Sequence, residues 1–102
     1  DILKSHLRYA QLRALGDDTS WGISCDGTTY KLLRNGDTAP YNLPGEDSAV
    51  YQSKNDITFN CGTITFDEWG SPGTEDIPEI TVSNGGGTIK VTKNTGFIFH
   101  EN

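Results

Sequence analysis

The stretch Ile2–Leu15, ILKSHLRYAQLRAL, is the segment of this chain whose apolar residues recur with the period of an α-helix. These residues are spaced by four, three and four positions, which places them on one face of a helix with about 3.6 residues per turn. The residues of this face are Leu3, Leu7, Ala10 and Ala14. We therefore predict a helix over residues 1–16 that packs this face against the rest of the chain, with Gly16 as a left-handed cap at its end.

The start of the predicted helix has only Asp1 as a candidate cap, and the 102 residues contain no methionine. A helix that begins at the first residue of a chain without an initiator methionine indicates that an upstream part of the helix was removed, by processing or by the choice of the fragment. We therefore expect the native protein to continue this helix towards its N-terminus.

Residues 20–100 form a β-rich region of short β-forming runs separated by Gly, Asn, Asp and Pro. Asp26-Gly27 between two such runs is a strong β-hairpin signal. We expect Cys61-Gly62 to connect two short strands tightly, and the Gly-rich run 84–87 to join two others. The predicted strands cover residues 21–25, 28–34, 49–52, 57–60, 63–66, 77–82, 88–92 and 97–100.

The order of these elements, one leading helix followed by many short strands, is typical of the α+β class. A length of 102 residues is that of one domain. We predict that residues 1–102 form a single domain in which the helix packs on an antiparallel sheet, a meander, and closes one core with it. The apolar content of 33% indicates a core of modest size.

The net charge of −6 is distributed unevenly along the chain. Residues 1–15 carry Lys4, Arg8 and Arg13 against one acidic residue, whereas the remainder carries five basic and thirteen acidic residues. A nucleic-acid-binding domain clusters its basic residues on an exposed face, so we expect no nucleic-acid partner.

No run approaches the roughly 20 apolar residues of a transmembrane helix, and no signal-peptide pattern occurs in these residues.

Cys25 and Cys61 are the two cysteines of the chain. Their positions beside β-like runs in a polar, Gly-rich sequence favour a disulfide, which implies an oxidising compartment. The alternative is a pair of buried free thiols in a cytosolic protein. A structural metal site is disfavoured because the chain has no CxxC pair and only two histidines.

No residue pattern in the chain predicts catalysis. His6 and His100 lie outside any recognisable motif, and the sequence has no G-x-S-x-G, Walker or H-E-x-x-H pattern. A cysteine paired with a histidine as nucleophile and base has no local support. We therefore expect that the protein is not an enzyme, and that His6 lies at the surface or boundary of the helix.

Acidic loop residues are the candidate ligands for calcium, which binds six to eight oxygen atoms. They are Asp67, Glu68, Glu75 and Asp76. Because their spacing matches no EF-hand, we favour solvated acidic loops, with calcium as the weaker alternative and no other cofactor expected.

Among the aromatic residues, Trp21 and Tyr30 are expected in the core. Tyr41 and Trp69 lie in predicted loops and are candidates for an exposed binding surface, for instance one that stacks on sugars.

Three parts of the sequence resemble a known family. The first is the helix HLRYAQLRAL (residues 6–15), and the second is Trp21-Gly22-Ile23 followed by Tyr30-Lys31-Leu32. The third is the C-terminal half, with ITFDEWGSP (64–72), ITVS (80–83), TIKVT (88–92) and TGFI (95–98). The chain resembles the soluble domain of type IV pilin-like proteins, most closely the H-type minor pseudopilins of type II secretion systems and their minor-pilin relatives.

The resemblance implies a structural subunit of a type IV pilus or type II secretion filament. In that family an apolar N-terminal helix half anchors the precursor in the bacterial inner membrane, is methylated after leader cleavage, and packs into a helical filament. The leader, its cleavage site and the glutamate near the mature N-terminus are absent from this sequence. The mature domain is then extracytoplasmic, in the periplasm or on a cell-surface filament.

For the residues of this chain, the resemblance implies that the apolar face Leu3, Leu7, Ala10 and Ala14 docks on the sheet. Arg8 and Arg13 then point elsewhere, towards acidic neighbouring subunits. The rival hypothesis is a free-standing secreted module that binds a glycan or calcium through its loops.

Overall fold

In the computed structural model, residues 2–53, 56–75, 77, 79–83 and 87–101 are described. The leading helix, α1, spans Ile2–Leu15, as the apolar spacing predicts. The predicted face Leu3, Leu7, Ala10 and Ala14 is at most 1% exposed. Asp1, the candidate cap, lies outside the described residues.

The C-terminal end of α1 differs from the prediction. The φ angle of Gly16 is not positive, so the left-handed cap is wrong. The Gly16 N–H still donates to the carbonyl of Leu12, at 3.2 Å, which is the hydrogen bond of a continuing helix. The Asp17 N–H then donates to the Ala14 carbonyl at 3.3 Å, and this tighter turn ends the helix.

The first sheet is built on the hairpin that Asp26-Gly27 predicts. Strands β1 (Trp21–Asp26) and β2 (Thr29–Arg34) pair antiparallel from Asp26 opposite Thr29 to Trp21 opposite Arg34. Strand β2 also pairs with β3 (Asp37–Thr38) and with β4 (Val50–Gln52). On its other side, β1 pairs with β6 (Thr63–Phe66), so β1 is central.

The second sheet contains β5 (Phe59–Asn60), β7 (Ile80–Val82), β8 (Gly87–Val91) and β9 (Ile98–Glu101). Its spatial order is β5-β7-β8-β9, with all pairs antiparallel. The strands β7 and β8 pair as expected, although residues 84–86 of the Gly-rich turn between them lie outside the described residues.

The predicted single meander is wrong in the middle of the chain. Strands β5 and β6 do not form a hairpin, because β5 pairs with β7 and β6 pairs with β1. The Cys61-Gly62 connection instead carries the chain from the second sheet to the first. The physical reason is burial. Phe59 of β5 and Ile64 of β6 both lie in one shared core, and β5 contributes its residue from the second sheet whereas β6 contributes its residue from the first.

One hydrophobic core joins α1 and both sheets. The first sheet contributes Trp21 and Phe66, and the second contributes Ile80 and Ile89, all fully buried. The α+β class and the packing of the helix on antiparallel strands are therefore observed. Among the described residues, no helix is long and apolar enough to cross a membrane.

Candidate functional site

The predicted disulfide is present between Cys25 and Cys61, whose Cα atoms are 5.4 Å apart. Cys25 lies near the end of β1, and Cys61 lies in the connection between β5 and β6. The Cys25 N–H also donates to the Gly62 carbonyl at 2.8 Å. The disulfide therefore ties the central strand of the first sheet to the point where the chain crosses between the sheets.

The N-terminal half of α1 is held by His6, and here the prediction of a surface or boundary histidine is wrong. His6 is 2% exposed. Its Nε2 lies 3.0 Å from the Pro44 carbonyl oxygen, and its Nδ1 lies 2.7 Å from the Tyr30 hydroxyl. A carbonyl only accepts, so Nε2 carries the proton and Nδ1 accepts the hydrogen bond that Tyr30 donates. His6 thus connects the helix to β2 and to the loop after β3.

The environment of His6 is aromatic and poor in charge. The rings of Tyr30 and Tyr51 meet the imidazole edge-on, at 5.6 and 6.0 Å between centroids. Burial lowers the pKa of His6, an effect that the Pro44 carbonyl and the charge of Glu46 partly oppose. Burial likewise raises the pKa of Tyr30. Both groups are therefore neutral near pH 7.

The C-terminal half of α1 is held by Arg13. The guanidinium carbon of Arg13 lies 4.7 Å from the ring centroid of Trp21 and 4.9 Å from that of Tyr41. The Trp21 and Tyr41 rings are themselves stacked, with centroids 5.8 Å apart. Arg13 is thus packed on the aromatic side chains of its own domain, whereas Arg8 is exposed on the opposite side of the helix.

Asp17 is a connecting residue that no sequence pattern singles out. Its Oδ2 accepts hydrogen bonds from Trp21 Nε1 at 3.1 Å and from Arg34 Nε at 2.9 Å. The hydrogen bond from Arg34, followed by that from Trp21, lowers the pKa of the Asp17 carboxyl. Asp17 therefore fixes the turn after α1 to both strands of the first hairpin.

Gln11 makes a third attachment of the helix, which we call the Gln11 junction. Its Nε2 donates to the carbonyl of Gly70 at 2.9 Å and to that of Gly96 at 2.8 Å. These carbonyls belong to loops separated in sequence, one after β6 and one before β9. A Cβ atom added at Gly70 would lie 3.3 Å from the Leu15 side chain. The junction escaped sequence reasoning because both acceptors are main-chain groups.

The acidic loop after β6 is organised by its own carboxylate. Asp67 Oδ1 accepts hydrogen bonds from the N–H groups of Trp69 at 2.9 Å and Ser71 at 3.0 Å. Glu68 and Glu75 are exposed, and Asp76 lies outside the described residues. Within the described part of the chain, no three His, Cys, Asp or Glu side chains lie close enough together to hold a metal ion.

The aromatic residues lie where the sequence predicts. Trp21 and Tyr30 are in the core, at 0% and 1% exposure, whereas Tyr41 and Trp69 are exposed. The Tyr41 ring is stacked on Trp21 and also contacts the Arg13 guanidinium, as described above. Trp69 is the most exposed large apolar residue of the described chain.

Comparisons with protein-family models, with curated proteins and with solved structures find no match to this chain.

Proposed function

We propose that this chain is the globular domain of a pilin-like structural subunit, a minor pilin or pseudopilin of a type IV pilus or type II secretion filament. Its role is mechanical: the domain is carried by an N-terminal helix and presents its surface to neighbouring subunits. No catalytic step and no cofactor is part of the proposal.

The observation that carries the proposal is the way in which α1 is fixed to the sheets. The face formed by Leu3, Leu7, Ala10 and Ala14 is completely buried. Polar and cationic contacts hold the helix on both sides of its midpoint: His6 to Pro44 and Tyr30, Gln11 to two loop carbonyls, and Arg13 to Trp21. A helix attached in this way moves as one body with its β-domain, as a subunit that transmits force through its helix requires.

The exposed face of α1 supports the same proposal. It carries Arg8, Leu12 and Leu15 along one side of the helix. The helix therefore has a second, partly apolar stripe besides the buried one. Such a stripe suits contact with another protein surface better than contact with water alone.

The disulfide supports an extracytoplasmic location, since disulfides form and persist in oxidising compartments. In the proposed setting, a further apolar helical segment upstream anchors the precursor in the bacterial inner membrane. The mature domain lies in the periplasm or on a cell-surface filament. Its partners are other pilin or pseudopilin subunits, and no nucleic acid is among them.

Photo-crosslinking in cells that express the native full-length gene tests this proposal. A photoreactive residue at Ser5, on the exposed face of α1, should give covalent adducts with other filament subunits, identified by mass spectrometry. The matched control is the same residue at Lys31, which is exposed on β2, and it should give fewer such adducts. Crosslinks at Ser5 that contain no pilin-like partner would contradict the proposal.

The second candidate is a secreted module that binds a glycan through exposed aromatic rings, and the observation in its favour is the exposure of Trp69 and Tyr41. Under that hypothesis, Trp69→Ala and Tyr41→Ala should each abolish binding on a glycan array. Under the filament hypothesis, the chain binds no glycan on the array.

A further inference from the structure

A small apolar cavity lies at the start of α1, between the helix and strands of both sheets. Its volume is about 150 Å³, and its walls include Ile2 and Leu3 of α1, Tyr51 of β4, Phe59 of β5 and Val82 of β7. Leu3 is fully buried, whereas Ile2 is 40% exposed and Val82 is half-buried. The cavity can therefore be reached from solvent beside these last two residues.

The walls of this cavity offer few partners to a water molecule. None of the described residues that line it is charged. Ser53, a further wall residue, already accepts a hydrogen bond on its hydroxyl oxygen from the Ile57 N–H at 2.8 Å. A water molecule held in a protein cavity needs about two to four hydrogen-bond partners. A mainly apolar occupant therefore suits the cavity better than ordered water.

Tyr51 brings one unpaired polar atom to these walls. Its side chain is 8% exposed, and its ring is fixed by stacking on Tyr30 at 4.9 Å and by an edge-on contact with Phe59 at 6.0 Å between centroids. The Tyr51 hydroxyl makes no hydrogen bond to any residue that the structure describes. No enclosed side-chain oxygen of the described residues lacks a partner, so this hydroxyl borders open space. A tyrosine so deeply packed usually has a hydrogen-bond partner, and an occupant of the cavity could supply it.

We propose that this cavity binds a small, uncharged aromatic molecule with one hydroxyl group, a simple phenol. Its ring lies against Tyr51 and Phe59, and its hydroxyl exchanges a hydrogen bond with that of Tyr51. A cavity of about 150 Å³ lined by Leu, Ile and Phe is large enough to take up benzene. Aromatic walls favour an aromatic ring, because rings attract each other in edge-to-face and offset arrangements.

The same walls select against charged ligands. A carboxylate or an ammonium group would lose its hydration in the cavity without meeting an opposite charge on the described walls. The inference does not depend on the proposed filament role, since it rests only on the cavity and the residues that line it.

A nuclear magnetic resonance titration of the isotope-labelled, disulfide-bonded chain with p-cresol tests the site. Saturable shifts should be confined to the wall residues and their neighbours in the sequence. Benzoate, which carries a carboxylate on a ring of similar size, should bind at least about tenfold more weakly.

Filling the cavity gives the first variant test. Val82→Phe should place a ring of the chain itself in the cavity and lower the affinity for p-cresol by about tenfold or more. The matched control is Val50→Phe, which adds the same ring at an exposed residue of β4 that does not line the cavity, and it should leave the affinity unchanged.

Tyr51→Phe isolates the contribution of the hydroxyl. Because this hydroxyl has no partner among the described residues, its removal should leave the fold intact. The variant should bind p-cresol about fivefold more weakly and should bind toluene as the wild type does, since toluene has no hydroxyl to pair. This comparison also decides the matter if Val82→Phe fails to fold.

Two results would overturn the site: no saturable shift at the wall residues up to the solubility limit of p-cresol, or equal affinities of folded Val82→Phe and Val50→Phe. A Tyr51→Phe variant that changes the affinities for p-cresol and toluene by the same factor would overturn the proposed hydrogen bond.

Discussion

His6 of α1 accepts a hydrogen bond of 2.7 Å from the hydroxyl of Tyr30, across 24 residues of sequence. Its other ring nitrogen donates to the Pro44 carbonyl at 3.0 Å. This pair of hydrogen bonds uses both ring nitrogens of a neutral imidazole. Protonation of Nδ1 would reverse this hydrogen bond, so that Tyr30 accepts, and would place a positive charge in a buried aromatic site; burial therefore favours the neutral imidazole.

The stability of the domain should therefore depend on pH through His6. Its pKa in the folded state is lowered from the ordinary value of 6.5 by burial, so the unfolded chain binds the proton more readily. The contribution of neutral His6 to the free energy of unfolding should be present in full above pH 6.5. It should decrease as the pH falls from 6.5 towards the lowered pKa of His6 in the folded state. The nearby groups are Tyr30, Tyr51 and Glu46, of which Glu46 opposes the shift.

Urea unfolding at a series of pH values measures this dependence. His6→Gln should remove the decline between pH 6.5 and the lowered folded pKa, although the variant itself is less stable. His100→Gln is the matched control, because His100 is exposed on β9, and it should keep the decline. An unchanged decline in His6→Gln would assign the effect to other groups.

Tyr30→Phe should destabilise the domain by about 1–3 kcal/mol, because it leaves the buried Nδ1 acceptor of His6 without a donor. Tyr41→Phe, which removes the hydroxyl of an exposed tyrosine, should change the free energy of unfolding by less than about 0.5 kcal/mol. Equal effects of the two substitutions in urea unfolding would show that the Tyr30 hydroxyl has no special role.

Reduction of the disulfide should cost about 4 kcal/mol, the chain-entropy value for a loop of this length. Urea unfolding with and without reductant measures the difference. The double variant Cys25→Ala/Cys61→Ala should match the reduced protein and should be insensitive to reductant. A wild-type midpoint that does not move on verified reduction would contradict a stabilising role for the bond.

Gly96→Ala should disrupt the Gln11 junction. Gly96 has φ +73°, and an added Cβ would collide with the Gly70 carbonyl oxygen and with Gln11 Nε2. The strained backbone alone costs about 1–3 kcal/mol. Gly36→Ala is the matched control, because Gly36 has φ +84° with open space around it. The excess destabilisation of Gly96→Ala over Gly36→Ala then measures the junction, and no excess would mean that the junction contributes nothing.

The local elements of this fold could be predicted because local residue patterns determine them. The apolar spacing of Leu3 to Ala14 indicated the helix and its buried face, Asp26-Gly27 indicated the first hairpin, and 63–66 matched β6. The pairing of β5 with β7 could not be predicted, because strand alternation specifies which side faces the core and not which strand lies alongside.

The attachments of the helix were beyond sequence reasoning for a related reason. His6 and Gln11 are polar, and their partners are main-chain carbonyls of distant loops, at Pro44, Gly70 and Gly96. Main-chain acceptors occur at every residue, so no residue type reveals them. The spacing of apolar residues along the helix predicted which residues make its apolar contacts. Its polar contacts depend on the positions of the loops in the folded domain, which the residue pattern does not specify.

The most direct test of the filament proposal is the mature N-terminus of the native protein, read by mass spectrometry alongside the gene sequence upstream of Asp1. The proposal predicts a short basic leader cleaved after glycine, a methylated N-terminal residue and about 20 apolar residues that lead into α1. A conventional signal peptide cleaved near Asp1 would contradict it and identify a secreted domain instead.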